Sequence, residues 1–183
     1  MNNVTILNFS GRNNGNCSAI TDYIATFCAN ANVHSIHIDH RFEACGGCDY
    51  ECLKPGVTCP KLDSAQTAIM DAMGKSDLIY YVVPNYCGLP CANYYAFNER
   101  CTGYFNMDRE LMKKFQSIRR RFIIVSNTET DQFVQAMKMQ SAADPEILYM
   151  KTGKYSKRST AGDILESEAA RADLERFLSL VTL

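Results

Sequence analysis

Two groups of residues in this chain are of types, and at spacings, that could do chemistry. One is the stretch Ser10-Gly11-Arg12-Asn13-Asn14-Gly15-Asn16-Cys17-Ser18, which separates an apolar run, Val4-Thr5-Ile6-Leu7-Asn8-Phe9, from a helical pattern. It reads as a strand, a loop and a helix start. Small hydroxyl and amide side chains, two glycines that let backbone amides turn inward and one arginine suit this loop to a phosphate. Unpaired N–H groups at a helix N-terminus, the helix dipole and a guanidinium all favour a dianion. An ordinary strand-to-helix turn with a good N-cap accounts for the local composition equally well. The other group is Cys45-x-x-Cys48-x-x-x-Cys52-x6-Cys59. Thiolates there could hold structural zinc, form a redox pair or stay free. Zinc ribbons bring two C-x-x-C knuckles where this loop has one, and thioredoxin-type pairs open a helix directly after a strand, which Cys45-Gly46-Gly47-Cys48 does not.

Two better-known phosphate loops do not fit. A dinucleotide fingerprint needs G-x-G-x-x-G, and residues 10–18 supply only Gly11 and Gly15. Gly74-Lys75-Ser76 matches the end of a P-loop, but the required first glycine is Ile69 and a strand follows, so Gly74 reads as a helix C-terminus. His34, His37 and His40, spaced by three on a strand, place neighbours on opposite faces, which does not build a metal site.

The chain has 183 residues, enough for one domain, 1–183, with its own core. Its 19 Lys and Arg against 20 Asp and Glu leave a net charge of -1, so no global charge draws it to nucleic acid or an anionic membrane. The basic runs Arg119-Arg120-Arg121 and 151–158 are local and read as solvated faces. No charged, apolar-cored leader opens the sequence and no apolar run approaches the roughly 20 residues of a membrane span, so a cytoplasmic protein is expected. An odd count of 9 cysteines in a chain of this size argues against a secreted disulfide scaffold.

The elements that must position these residues follow from periodicity. Ile20, Tyr23, Ile24 and Phe27 predict a helix over 18–29, and alternation predicts a second strand over 33–39. Residues 41–62 form a cysteine-rich loop too long to be idle in a compact domain. Asp63 caps a helix to Gly74, and the continuous apolar run 77–83 is typical of a central parallel strand covered on both faces. Residues 84–90 form a second loop, followed by a helix over 91–100 and a helix-prone stretch over 107–119. Strand 121–125 ends in the polar loop 126–131. A short helix over 132–141, a strand over 147–150 and a last helix over 167–180, with Ala170, Leu174, Phe177 and Leu178 on one stripe, complete the chain. Strand and helix alternate five times, which predicts a parallel sheet with helices on both faces and ligands beyond the strand carboxyl ends. The loops after the first, third and fourth strands lie together on that edge, and this convergence favours the phosphate reading.

With these loops placed, the chain resembles, over nearly its whole length, the flavodoxin-like family of NAD(P)H-dependent FMN reductases and their relatives, the iron-sulfur flavoproteins. Ser10-x-Arg12-x-x-Gly15-Asn16-Cys17 is similar to the family's S-x-R-x-x-G-N-[ST] phosphate loop, with cysteine in the hydroxyl position and Ser18 one residue on. Pro84-Asn85-Tyr86-Cys87-Gly88-Leu89-Pro90, followed by Ala96-Phe97-x-x-Arg100, is similar to the family's P-x-Y-x-G-x-x-[PS] loop and the helix ending in F-x-[DE]-R. The four cysteines stand where family members carry C-x-x-C-x-x-C-x4-7-C, with one extra residue in the middle spacing.

The resemblance implies an α/β fold, a flavodoxin-like three-layer sandwich with a five-stranded parallel sheet, and an oxidoreductase that takes hydride from NAD(P)H and passes electrons to a quinone, flavin or other acceptor. It implies FMN as cofactor, its phosphate held by Ser10, Arg12, Asn16, Cys17 and Ser18. The flavin ring would lie along Pro84, Asn85, Tyr86, Cys87 and Gly88, with Ser126 and Thr128 in the third loop, which matches by position alone. No dedicated catalytic side chain is implied, since the flavin carries the chemistry. The alternative is an electron carrier in which Cys45, Cys48, Cys52 and Cys59 hold a 4Fe-4S cluster. Cys28, Cys87, Cys91 and Cys101 read as packing residues. A homodimer is also implied, with Tyr94-Tyr95 and Tyr104-Phe105 as candidate surfaces.

Overall fold

The computed structural model describes residues 2–38, 45–46, 48–54, 56–57, 59–60, 64–106, 108–128, 131–139 and 145–181. In chain order its elements are β1 (Asn3–Asn8), α1 (Asn16–Phe27), β2 (Asn32–His37), α2 (Ser64–Gly74), β3 (Leu78–Tyr86), β4 (Leu89–Pro90), α3 (Ala92–Asn106), α4 (Arg109–Ser117), β5 (Arg119–Ser126), α5 (Asp131–Met139), β6 (Glu146–Lys151) and α6 (Glu168–Leu178). Five strands pair in parallel, as the alternation predicts, and their order is β2-β1-β3-β5-β6. The sixth, β4, was not anticipated: it is two residues long and folds back antiparallel on β3, pairing Asn85 with Pro90 and Tyr86 with Leu89. Cap residue Asp63 lies outside the described residues. Among the described residues, no helix is long and apolar enough to cross a membrane.

The sheet is held by alternation. Val4 and Ile6 of β1, Tyr80 and Val82 of β3, and Ile123 and Val125 of β5 are buried on one face against α1 and α6. Leu7, Ile79, Tyr81, Val83, Phe122 and Ile124 are buried on the other against α2, α3 and α5. Each fully buried aliphatic or aromatic side chain contributes roughly 1.5–3 kcal/mol, so the central strands could not be exposed on either side. Tyr94 and Phe105 belong to this core, at 2% and 0% exposure, and Phe9 meets Tyr94 and Phe97 edge-on at 5.2 and 5.5 Å. Of the rings offered as a dimer surface, Tyr94 and Phe105 are therefore core, because α3 turns them onto the sheet, while Tyr95 and Tyr104 are half-buried.

The run Arg119-Arg120-Arg121 is not a solvated face. Strand alternation turns Arg121 inward, where it is completely buried, stacked at 3.8 Å over Phe177. Its Nη1 donates to Tyr80 Oη at 3.2 Å and its Nη2 to the Phe177 carbonyl at 2.5 Å, while Nε lies 2.9 Å from Glu146 Oε2. Arg120 packs over Phe115 at 4.1 Å and donates to its carbonyl. Burial works to raise the Glu146 pKa, but the Arg119 hydrogen bond and the charges of Arg121 and Arg119 outweigh it, holding the carboxyl below its usual range. A depressed carboxylate adds stability above its unfolded pKa, near 4.3, and loses it as pH falls through the folded value. Glu146→Gln should therefore cost roughly 2–3 kcal/mol at pH 7, less than the 3–5 of a fully buried broken pair, and flatten the acid limb of the stability profile. Urea unfolding between pH 3 and 7 checks both; an unchanged acid limb contradicts the assignment.

Candidate functional site

The parallel register brings β1, β3 and β5 to their carboxyl ends side by side, with Asn8 paired to Val82 and Pro84 to Val125. Sheets of this kind bind ligands where strand order reverses, which here lies between β1 and β3. The first loop leaves β1 under tight control. Buried Asn8 accepts the Ser10 N–H on Oδ1 at 3.0 Å and donates from Nδ2 to Ser18 Oγ at 3.2 Å. Ser18 Oγ in turn donates to the Arg12 carbonyl at 3.1 Å, and Ser10 Oγ accepts the Arg12 N–H at 3.2 Å. His37, at the end of β2, contacts the Ser10 carbonyl through Nε2, which must carry the proton to do so.

This bracing leaves the start of α1 open. Gly15 is its N-cap and no side chain caps it, whereas Asp108 caps α4 and Ser167 caps α6. The first intrahelical bond, Ala19 N–H to the Gly15 carbonyl at 3.1 Å, leaves the N–H groups of Asn16, Cys17 and Ser18 without helical partners. The hydroxyl of Ser18 closes the loop, so its N–H is what it can offer an anion. Cys17 is buried, and that burial, with a smaller contribution from nearby Cys91, pushes its thiol up to about 12. It stays a neutral thiol at pH 7 and so adds no negative charge beside the helix start.

A segment that sequence reasoning took for a solvated face completes this end. After β6 the chain turns through Thr152–Tyr155, with Thr152 and Tyr155 buried, and crosses back to the start of α1. Asn16 Nδ2 donates to the carbonyls of Arg158 at 3.0 Å and Ser159 at 3.3 Å, while its Oδ1 accepts the Ile164 N–H at 3.0 Å. Arg12 Nη2 donates to the Thr160 carbonyl at 2.6 Å. Both ends of the Asn16 amide are thus engaged by this strap, and its backbone N–H is what remains for a ligand. Arg12 has five N–H donors and gives the strap one.

The second loop is a two-residue hairpin joining β3 to β4. Cys87 and Gly88 have φ of 52° and 89°, the positive values at both central positions that such a turn requires. This conformation carries Cys87 outward, so it is exposed instead of packed. Asn85, 9% exposed, donates from Nδ2 to Ser126 Oγ at 2.7 Å. Ser126 Oγ gives its only proton to the Thr128 carbonyl at 2.6 Å and also accepts the Thr128 N–H at 3.0 Å. It can therefore only accept from Asn85, which fixes the amide orientation. Asn85 Oδ1 is left buried with no hydrogen-bond partner among the described residues. An orphaned acceptor of this kind costs about 1–3 kcal/mol, which a ligand N–H would remove.

These pieces line one cleft of about 500 Å3. Ser10, Arg12, Asn16 and Cys17 form one end; Pro84, Asn85, Tyr86 and Cys87 form a wall; Ser126 and Thr128 border it; Ser159 and Thr160 of the strap, unforeseen from sequence, close the Arg12 end. Ser18 and Gly88 are not among the lining residues. The other four sequence-selected thiols lie apart, on the loop after β2. There the Cys45 N–H donates to Glu99 of α3 at 2.9 Å, and Cys52 packs against Gly103. Desolvation, followed by the charges of Cys59, Cys45 and Cys48, raises the Cys52 pKa. Among the described residues, no group of three or more His, Cys, Asp or Glu is arranged to hold a metal ion.

No family model matches the chain, and no curated protein sequence matches it. Solved structures do. The Trp repressor binding protein from Bacillus subtilis superposes with a TM-score of 0.67 at 11% identity, over 98% of this chain and 99% of that one. A flavodoxin, WrbA-like protein from Agrobacterium tumefaciens gives 0.55 at 16% identity, over 98% and 97%. An NADH:FMN oxidoreductase in its apo form gives 0.58 at 10%, over 100% and 91%. At these identities the likeness establishes the fold, flavodoxin-like α/β, and is consistent with the reductase family that the loops resemble.

Burial separates the cysteines in a way that can be measured. Cys17, Cys28, Cys91 and Cys101 are buried, and desolvation raises the pKa of each, while Cys87 is exposed. Brief iodoacetamide treatment of native protein at pH 7.5, read by peptide mass spectrometry, should modify Cys87 and spare those four. Modification of Cys17 at the rate of Cys87 would contradict the placement of the first loop.

Proposed function

We propose that this chain is an FMN-dependent oxidoreductase that takes hydride from NADH or NADPH and delivers electrons to a quinone, flavin or other acceptor. One observation carries the reading: a single cleft has unpaired backbone donors with a guanidinium at one end and a buried, unpartnered acceptor, Asn85 Oδ1, along its wall. FMN has the complementary pattern, a phosphate dianion joined by a short polar chain to a ring that bears an N–H. The α1 N-terminus and Arg12 would hold the phosphate, with Ser10, Asn16, Cys17 and Ser18 shaping that end through backbone and packing. Asn85 would take the ring N–H, and Pro84, Tyr86, Cys87 and Gly88 would border the ring, with Ser126 and Thr128 fixing the Asn85 amide. When bound, the flavin supplies hydride acceptance and one- or two-electron release. The chain's own residues bind, orient and shield, and no side chain is assigned a proton transfer.

Likeness of fold to a solved NADH:FMN oxidoreductase supports this choice. The nine unpaired cysteines support a reducing, cytoplasmic setting. The exposed side chains of Tyr86 and Leu89 on the hairpin support the homodimer implied by the resemblance, and sedimentation equilibrium should give twice the chain mass; a monomer at micromolar concentration contradicts it. A second reading, the iron-sulfur electron carrier, would need Cys45, Cys48, Cys52 and Cys59 to converge, and among the described residues no such group is arranged to hold a metal ion.

Anaerobically purified protein should be yellow, release FMN on denaturation and contain no stoichiometric iron; about four iron atoms per chain would favour the carrier instead. Arg12→Ala should weaken FMN binding by roughly tenfold to a hundredfold, the worth of hydrogen bonds to a charged group. Equilibrium titration followed by flavin fluorescence reads this, and unchanged affinity would sink the phosphate assignment.

A further inference from the structure

We propose that the strap at residues 157–163 restricts the anion site to a single terminal phosphate, and that Asn16 is the positioning residue that holds the strap there. The inference rests on the FMN reading and deepens it: the strap is what would make the site choose a flavin mononucleotide over a flavin carrying a diphosphate.

The strap is fixed at both ends and in the middle. Tyr155 before it and Ile164 after it are buried in the core face shared with α1 and α6. Lys157 N–H donates to the Thr152 carbonyl, and Lys157 Nζ bridges Asp163 at 3.2 Å and Glu166 at 2.8 Å, which closes the segment on itself. Asn16, only 3% exposed, then clips it at Arg158, Ser159 and Ile164. Gly162 makes the closest approach. Its φ is +81°, and a Cβ there would stand 2.7 Å from the Asn14 carbonyl oxygen, so backbone rests directly on backbone. No gap is left between strap and phosphate loop at that point.

The chemistry of the strap's inner side decides what can pass. The carbonyls of Arg158, Ser159 and Thr160 all turn toward the phosphate loop, where Asn16 and Arg12 take them. A terminal phosphate meets the α1 N–H groups and the remaining donors of Arg12, and needs nothing beyond them. A diphosphate must continue from that phosphate with a second anionic group, which would be driven against carbonyl oxygens and a sealed backbone contact. Repulsion between like partial charges and steric closure are how sites reject a near-identical ligand. One guanidinium of Arg12 spans strap and phosphate end together, so the strap's position and the site's occupancy are coupled.

Equilibrium binding of FMN, FAD and riboflavin to wild-type protein, Gly162→Val and Asn16→Ala tests this. Gly162→Val forces a Cβ into the Asn14 contact without replacing any side chain of the phosphate loop; Asn16→Ala releases the clips without adding bulk. Trypsin cleavage after Lys157 or Arg158 reports whether the strap has lifted, independently of any flavin. Wild type should prefer FMN over FAD by about a hundredfold, and in the variants that preference should fall by about tenfold while riboflavin affinity, which reads the ring end alone, holds. Wild-type protein that binds FMN and FAD equally overturns this inference and leaves the functional reading standing. So does an unchanged preference in a folded variant whose strap trypsin now cuts. Wild-type protein that binds no flavin at all overturns both.

Discussion

Three backbone N–H groups at the start of α1 have no partner within the helix and no capping side chain, and much of the surrounding structure is arranged about that deficit. Asn8, Ser10 and Ser18 spend their side chains holding the loop that precedes the helix, so none of them competes for the open donors. Cys17, next to those donors, is a neutral thiol whose pKa burial pushes further up, so it adds no charge that would repel an anion. Asn16 turns its amide away to the strap. What remains is a concentration of partial positive charge facing a cleft, which in an isolated helix water would satisfy and here a ligand can.

The sheet makes that deficit useful. Because β1, β3 and β5 are in parallel register and end together, the open helix start lies at the same edge as the β3–β4 hairpin and the loop after β5. Ser126 is the pivot between those two loops. Its hydroxyl is committed to Thr128, and this leaves the Asn85 amide oxygen without a partner among the described residues. An acceptor lacking a proton and a helix end lacking an acceptor, on one cleft, form a polarity pattern that a single ligand with an anionic tail and an N–H-bearing ring would satisfy.

Much of this was legible in the sequence where the physics is local. The continuous apolar run 78–83, the stop at Gly74 and the polar loops after apolar runs give parallel strands, helix ends and a ligand edge without reference to distant residues. What escaped depends on contacts made far along the chain. Arg121 reads as surface until Phe177, 56 residues later, folds over it. The run 151–158 reads as a solvated face because Asn16, which holds its end, is 142 residues from Arg158. Cys87 reads as a packing residue because a two-residue hairpin with positive φ cannot be seen from Cys-Gly alone, and β4 is too short to announce itself. Ser10, Arg12, Asn16, Asn85 and Ser126, all singled out in the sequence, line one cleft, but how the work is divided among them is set by hydrogen-bond partners on other elements.

A crystal structure of the protein with FMN tests the central claim most directly. The account predicts the phosphate within hydrogen-bond distance of the backbone N–H groups of Asn16, Cys17 and Ser18, with a ring N–H on Asn85 Oδ1. A phosphate bound elsewhere, or Asn85 Oδ1 still without a donor while the ring is in place, would contradict it.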